Sequence, residues 1–205
     1  MNKVWKGMIL AGFLAAGLTS SGCSGGKPSA AAQAPAGAKA QQPGTLTLVY
    51  TYRPKASAWA NQQAAWIEND RGQVVRTLLA TRFTTQGGYR KRSMSIPVWV
   101  QRSGLAQMKS AQVDAVTGAT PKAGEQRLVW DGKDDSGRPL PDGTYRVFLE
   151  ATLYKYSDLL VQGSFIKGGT DQNVKMEARL EREPEQAENR DMVSNVEAFY
   201  KGATH

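Results

Sequence analysis

From residue 45 onward, short stretches of period-two alternation are broken at close intervals by turn residues, and this constrains the fold more than any other feature. Thr45-Leu46-Thr47-Leu48-Val49-Tyr50-Thr51-Tyr52 alternates β-branched, apolar and aromatic side chains, as a half-buried strand does. Ala64 to Glu68 predicts a second strand, Asn69-Asp70-Arg71-Gly72 closes it, and Gln73 to Phe83 returns as its hairpin partner. Thr84 to Gly88 reads as a loop. Between Ile96 and Val113 the apolar spacing of Pro97, Val98, Trp99, Leu105 and Met108 is nearer to a helix, interrupted by Gly104. Gln126–Trp130, Tyr145–Tyr154, Leu159–Ile166 and Val174–Leu180 predict four more strands. Glu181 to Glu188 is a charged linker. Asp191 to Lys201 predicts a short amphipathic helix, with Met192, Val193, Val196, Phe199 and Tyr200 on one face and Gly202 ending it. The expected fold is all-β: one antiparallel β-sandwich over residues 45–181 with short helical additions, then a linker and C-terminal helix over 182–205.

What precedes residue 45 does not read as domain sequence. Lys3 and Lys6 give a positive start, and Met8 to Leu18 is apolar but too short to span a bilayer comfortably. Small residues then lead into Ser20-Ser21-Gly22-Cys23-Ser24. This end resembles a bacterial lipobox, although Ser20 stands where a large aliphatic residue is usual. The resemblance implies a signal segment over 1–23, lipidation of Cys23 and a membrane anchor. With Ser24 rather than Asp following the cysteine, it implies the periplasmic side of the outer membrane. Residues 24–44 are mostly Ala, Gly, Pro and Gln, which bury too little surface to offset their ordering entropy. They read as a disordered tether spanning roughly 25 Å as a coil.

Composition removes several function classes. The chain has one cysteine and one histidine, so it forms no internal disulfide and builds no metal site from Cys or His clusters. Its 26 Lys and Arg against 18 Asp and Glu give +8, which falls to +6 if Lys3 and Lys6 leave with the signal. The densest basic run, Arg90-Lys91-Arg92, is too short for a nucleic-acid stripe, and export argues against that partner as well. Asp131, Asp134 and Asp135 miss the spacing of a calcium loop and read as turn chemistry. Glu68 with Asp70 likewise reads as a turn rather than a catalytic pair. No catalytic constellation is visible, so the chain reads as a carrier or binding module rather than an enzyme acting alone.

Two motifs carry resemblances. Trp130-Asp131-Gly132-Lys133-Asp134-Asp135-Ser136-Gly137-Arg138-Pro139-Leu140-Pro141-Asp142-Gly143-Thr144-Tyr145 resembles the immunoglobulin-like domain of flagellar hook-capping proteins, which implies an immunoglobulin-like sandwich with Trp130 in its core. Asp114-Ala115-Val116-Thr117-Gly118-Ala119-Thr120 is similar to the motif at which a bacterial envelope flavin transferase attaches FMN. The resemblance implies that the last hydroxyl, Thr120, receives the flavin phosphate. It also makes Asp114 a polar handle, Thr117 the position that takes either Ser or Thr, and Gly118 and Ala119 the small residues beside the acceptor. As a whole, residues 45–180 resemble an uncharacterised family of predicted bacterial periplasmic proteins, some of which sit within flavin-based extracytosolic redox systems.

The leading expectation is therefore an envelope-anchored flavoprotein with covalent FMN on Thr120, serving as an electron-transfer component beside an unknown redox partner. Trp99 and Trp130 are candidates to meet the ring and Lys122 or Arg127 to face the phosphate, although core packing and solvated charge account for each of them better. The alternative is a non-catalytic immunoglobulin-like binding or structural module of the envelope.

Overall fold

A computed structural model describes residues 43–57, 60–154, 157–182 and 188–204. Cys23, the signal and nearly all of the tether lie outside the described residues, as does His205. Among the described residues nine strands form two antiparallel sheets packed as a sandwich. The first holds β4 (Gly124–Trp130), β1 (Thr45–Tyr52), β9 (Val193–Lys201) and β7 (Gln172–Val174) in that order. The second holds β3 (Val74–Ala80), β2 (Gln62–Asn69), β5 (Gly143–Tyr154), β6 (Ser157–Lys167) and β8 (Glu177–Arg182).

Between the sheets lies the main core. Leu46, Leu48, Tyr50 and Tyr52 enter it from β1, and Ala65, Ile67, Val147, Leu149 and Ala151 from the facing sheet. Trp130 belongs to this core, in contact with Tyr145 and Phe165 at ring separations of 5.3 and 5.7 Å. Its indole N–H donates to Lys133 O at 2.8 Å, so the polar end of the ring is satisfied as well.

A second apolar layer covers the outer face of the five-stranded sheet. The segment between β3 and β4 folds back over it as a wide helical turn (Thr84–Gly88), α1 (Tyr89–Lys91), α2 (Pro97–Ser103), a single 3₁₀ turn (Leu105–Gln107) and α3 (Ser110–Val116). Ile96, Trp99, Leu105 and Val116 from this insertion pack on Ala64, Trp66, Phe148 and Leu160 of the sheet. This explains why β2 is buried at every residue from Gln62 to Glu68 instead of alternating.

The structure corrects four expectations. Val193–Lys201 is not a helix but a central strand, pairing Leu46 with Tyr200 and Tyr52 with Val193. The ladder shifts register between Val49 and Thr51, opposite Asn195, whose φ is 52°. Val193 is buried before that irregularity, and Ala198 and Tyr200 after it, so one extra residue breaks the period-two pattern into a helix-like spacing. The expected strand Val174–Leu180 divides between the sheets: Val174 pairs with Ala198 in the first, and Glu177–Arg182 pairs with β6 in the second. Thr84 to Gly88 is a helical turn rather than an open loop, and the hairpin partner β3 stops at Ala80.

Candidate functional site

The acceptor-like motif begins on α3 and leaves it at the edge of the sandwich. Val116, the last helical residue, is buried in the outer apolar layer and anchors the turn. Asp114 is exposed on α3, and its carbonyl accepts the Thr117 N–H at 3.4 Å. Thr117 Oγ1 lies 2.7 Å from Val113 O and 2.8 Å from Thr85 Oγ1, so this hydroxyl is engaged within the fold. Gly118 donates its N–H to Ala80 O at 2.8 Å and forms an isolated parallel bridge with Thr81. A side chain there would bring Cβ to 2.9 Å from Leu79 Cδ1, so glycine permits the close approach. Beyond the bridge, Ala119 and Thr120 are exposed. Among the described residues the Thr120 hydroxyl meets no hydrogen-bond partner.

The motif thus holds two hydroxyls in opposite situations, one tied down and one presented to solvent. A group-transfer enzyme needs the second kind, because an engaged hydroxyl would first have to break its bonds to enter another active site.

The other residues singled out from the sequence do not converge on this loop. Trp99 and Trp130 are fully buried core rings. Lys122 is exposed and accepts Gln126 Nε2 on its carbonyl at 2.7 Å. Arg127 lies on the outward face of the four-stranded sheet, in an open depression shared with Thr47, Phe199 and Lys201. Two of the three residues in the basic run meet aromatic neighbours: the Arg92 guanidinium lies 4.2 Å from the Phe83 ring centroid and Arg90 donates to Tyr89 Oη at 3.2 Å. The aspartates after Trp130 serve backbone groups. Asp134 accepts the N–H groups of Ser136 and Arg138, both at 2.9 Å, and Asp135 accepts that of Thr77 at 3.0 Å. Ser136 and the Arg138 backbone hold the Asp134 carboxyl well below the usual carboxylate range.

Two buried acidic clusters went unrecognised in the sequence. Glu68 lies within β2, as the strand expected over Ala64 to Glu68 has it, and shares no turn with Asp70. Its buried carboxylate accepts Trp66 Nε1 at 2.9 Å, Arg102 at 2.9 Å and Arg146 at 3.1 Å. Glu150, on the face of β5 that the insertion covers, accepts the N–H groups of Val98 and Trp99 at the start of α2 at 3.0 and 2.7 Å. Beside it stands Asp158 of β6, paired with Arg182. Burial raises the pKa of both Glu150 and Asp158. Their mutual repulsion raises Glu150 further, and the Arg182 charge opposes the rise at Asp158. Among the described residues Asp158 Oδ2 meets no hydrogen-bond partner, so the ionised form of this carboxyl is poorly satisfied. The available signal was a glutamate inside the apolar run Val147-Phe148-Leu149-Glu150-Ala151.

Residues 54–184 match the model of a family described as Predicted periplasmic protein (DUF2271). The chain belongs to the DUF2271 family. Neither a curated protein nor a solved structure matches it. The DUF2271 segment takes in the five-stranded sheet, the insertion, the acceptor-like loop and the Glu150–Asp158 pair. It leaves out β1 and β9, which are nevertheless the two central strands of the four-stranded sheet. In this DUF2271 protein the family segment therefore needs flanking sequence to complete its sandwich.

Proposed function

We propose that this DUF2271 protein is an envelope-anchored flavin carrier that holds FMN through a phosphodiester at Thr120 and serves electron transfer outside the cytoplasm. The observation that carries the reading is the contrast between Thr117, bonded to Val113 and Thr85, and Thr120, exposed and unpaired at the motif's last position. The periplasmic description of the family agrees with the compartment. In the modification, the Thr120 Oγ–P bond forms at a flavin nucleotide activated as a pyrophosphate. The P–O bond to the departing nucleoside monophosphate breaks, and the hydroxyl proton passes to a base of the flavin transferase. The bound flavin would supply the redox chemistry, and the protein its attachment and surroundings. Anchoring follows from Cys23, whose lipid chains would hold the carrier at the outer membrane while the tether gives it reach.

Co-expression with an envelope flavin transferase tests the reading. The protein band should fluoresce after denaturation, Thr120→Ala should abolish the signal, and Thr117→Ser should keep it. Asp114→Ala should weaken labelling without unfolding the domain. If the wild-type chain stays dark beside an active transferase, the carrier reading is wrong. Cys23→Ser should release the protein from the membrane fraction.

A second reading is an envelope binding module. Val129 and Phe199 favour it, since they flank Thr47 on adjacent strands and stand 55% and 40% exposed on one sheet face. The resemblance of Trp130 to Tyr145 to hook-capping modules supports the same alternative.

A further inference from the structure

We infer that Arg82 is the cation that faces the phosphodiester at Thr120 and positions the acceptor loop for its modification; this rests on the flavin reading above. Arg82 is far from the motif in sequence, but three contacts bring its backbone against the motif. Thr81, the residue before it, is bridged to Gly118, and the Gly118 N–H is bonded to Ala80 O at 2.8 Å. On the other side, Thr117 Oγ1 lies 2.8 Å from Thr85 Oγ1, and that hydroxyl donates to Arg82 O at 3.1 Å. Adjacent parallel segments run about 4.8 Å apart. Arg82 begins the helical turn directly after Thr81, and Thr120 lies two residues beyond Gly118, so each stands only one or two Cα–Cα steps of about 3.8 Å from the bridge, a gap that an arginine and a phosphate-bearing threonine can close between them.

The side chain is available for this role. Arg82 is exposed, and among the described residues its guanidinium has no acidic partner. Six other arginines of the domain are committed elsewhere: Arg76, Arg102, Arg138, Arg146, Arg179 and Arg182 all pair with carboxylates. A phosphodiester on Thr120 carries one negative charge, and a planar guanidinium offers it two parallel donors. Lys122, the cation nearest in sequence, is tied by its carbonyl to Gln126 Nε2, at the start of β4 and away from the bridge.

The test compares initial labelling rates of the full chain by a flavin transferase, and then the ³¹P resonance of the labelled, folded protein. Arg82→Gln should slow labelling about fivefold at low salt, with the difference shrinking as salt is raised. Arg82→Lys should restore the rate to within about twofold, because it keeps the charge but not the fork. Arg82→Gln should also shift the ³¹P resonance while leaving the melting temperature unchanged, since the side chain is exposed. Labelling and ³¹P shift equal to wild type in Arg82→Gln would overturn the inference and leave the flavin reading standing. So would a larger loss in Lys122→Gln than in Arg82→Gln. A wild-type chain that takes no label overturns both.

Discussion

Trp99 gives its backbone N–H to Glu150 Oε2 at 2.7 Å, with both residues fully buried. Through this contact and its partner at Val98, a carboxyl on β5 holds the first turn of α2 against the sheet. The same turn begins at Ile96, a buried β-branched residue at φ 43°, whose N–H is held by Thr152 Oγ1 at 2.9 Å. A β-branched residue keeps a left-handed backbone only where its surroundings over-determine it. Glu150→Ala leaves two donors without acceptors and should cost about 3 kcal/mol in chemical denaturation. Glu150→Gln, which keeps an acceptor for α2 and a donor toward Asp158, should cost less.

The Glu150–Asp158 pair also sets a pH dependence. The folded chain holds a proton that the unfolded chain releases above the ordinary carboxylate range, because burial raises both groups. The native state therefore binds more protons than the unfolded state, and stability falls as pH rises from that range toward the raised pKa of the pair. Asp131, Asp134 and Asp191, whose pKa values are lowered, act oppositely and only in more acidic solution. Melting temperatures recorded from pH 5 upward should decline in the wild type, and Glu150→Gln should flatten that decline.

Gly118→Ala tests the seam between the motif and β3. The added Cβ would stand 2.9 Å from Leu79 Cδ1, and Leu79 is itself packed in the main core. A cost of about 1–3 kcal/mol is expected, partly relieved in the double variant with Leu79→Val.

Gly163, within β6, faces the segment where the chain passes from β7 to β8. A Cβ there would meet Met176 Sδ at 2.6 Å, Val174 Cγ1 at 2.7 Å and Lys175 O at 2.8 Å. A backbone oxygen cannot turn aside as a side chain can, so Gly163→Ala should cost at least about 2 kcal/mol by urea unfolding.

Trp130→Ala removes a ring in contact with Tyr145 and Phe165 and an indole donor to Lys133 O. The expected loss is about 3–5 kcal/mol, which threatens a domain of ordinary stability. An unchanged melting temperature would place the ring outside the core.

Where one strand face is buried and the other wet, the sequence was legible: β1 alternates as its residues suggested, and Trp130 is core as its turn-rich setting implied. It was misleading where a strand breaks parity, as β9 does at Asn195, or changes sheet, as the segment from Val174 to Glu177 does. The candidate site divides in the same way. The motif from Asp114 to Thr120 is contiguous and could be read directly. Arg82 and Thr85 reach it only through the bridge to Gly118, and periodicity says nothing of such a pairing.

The hydrogen bond from Gly118 to Ala80 O joins the motif to a strand that precedes the whole helical insertion. The loop's shape is therefore a property of the finished sandwich, and a free peptide of residues 114–120 would not possess it. An enzyme that recognises the presented hydroxyl also inspects the fold. On the flavin reading proposed above, misfolded copies would stay unloaded, and a bound flavin would certify the molecules that carry it.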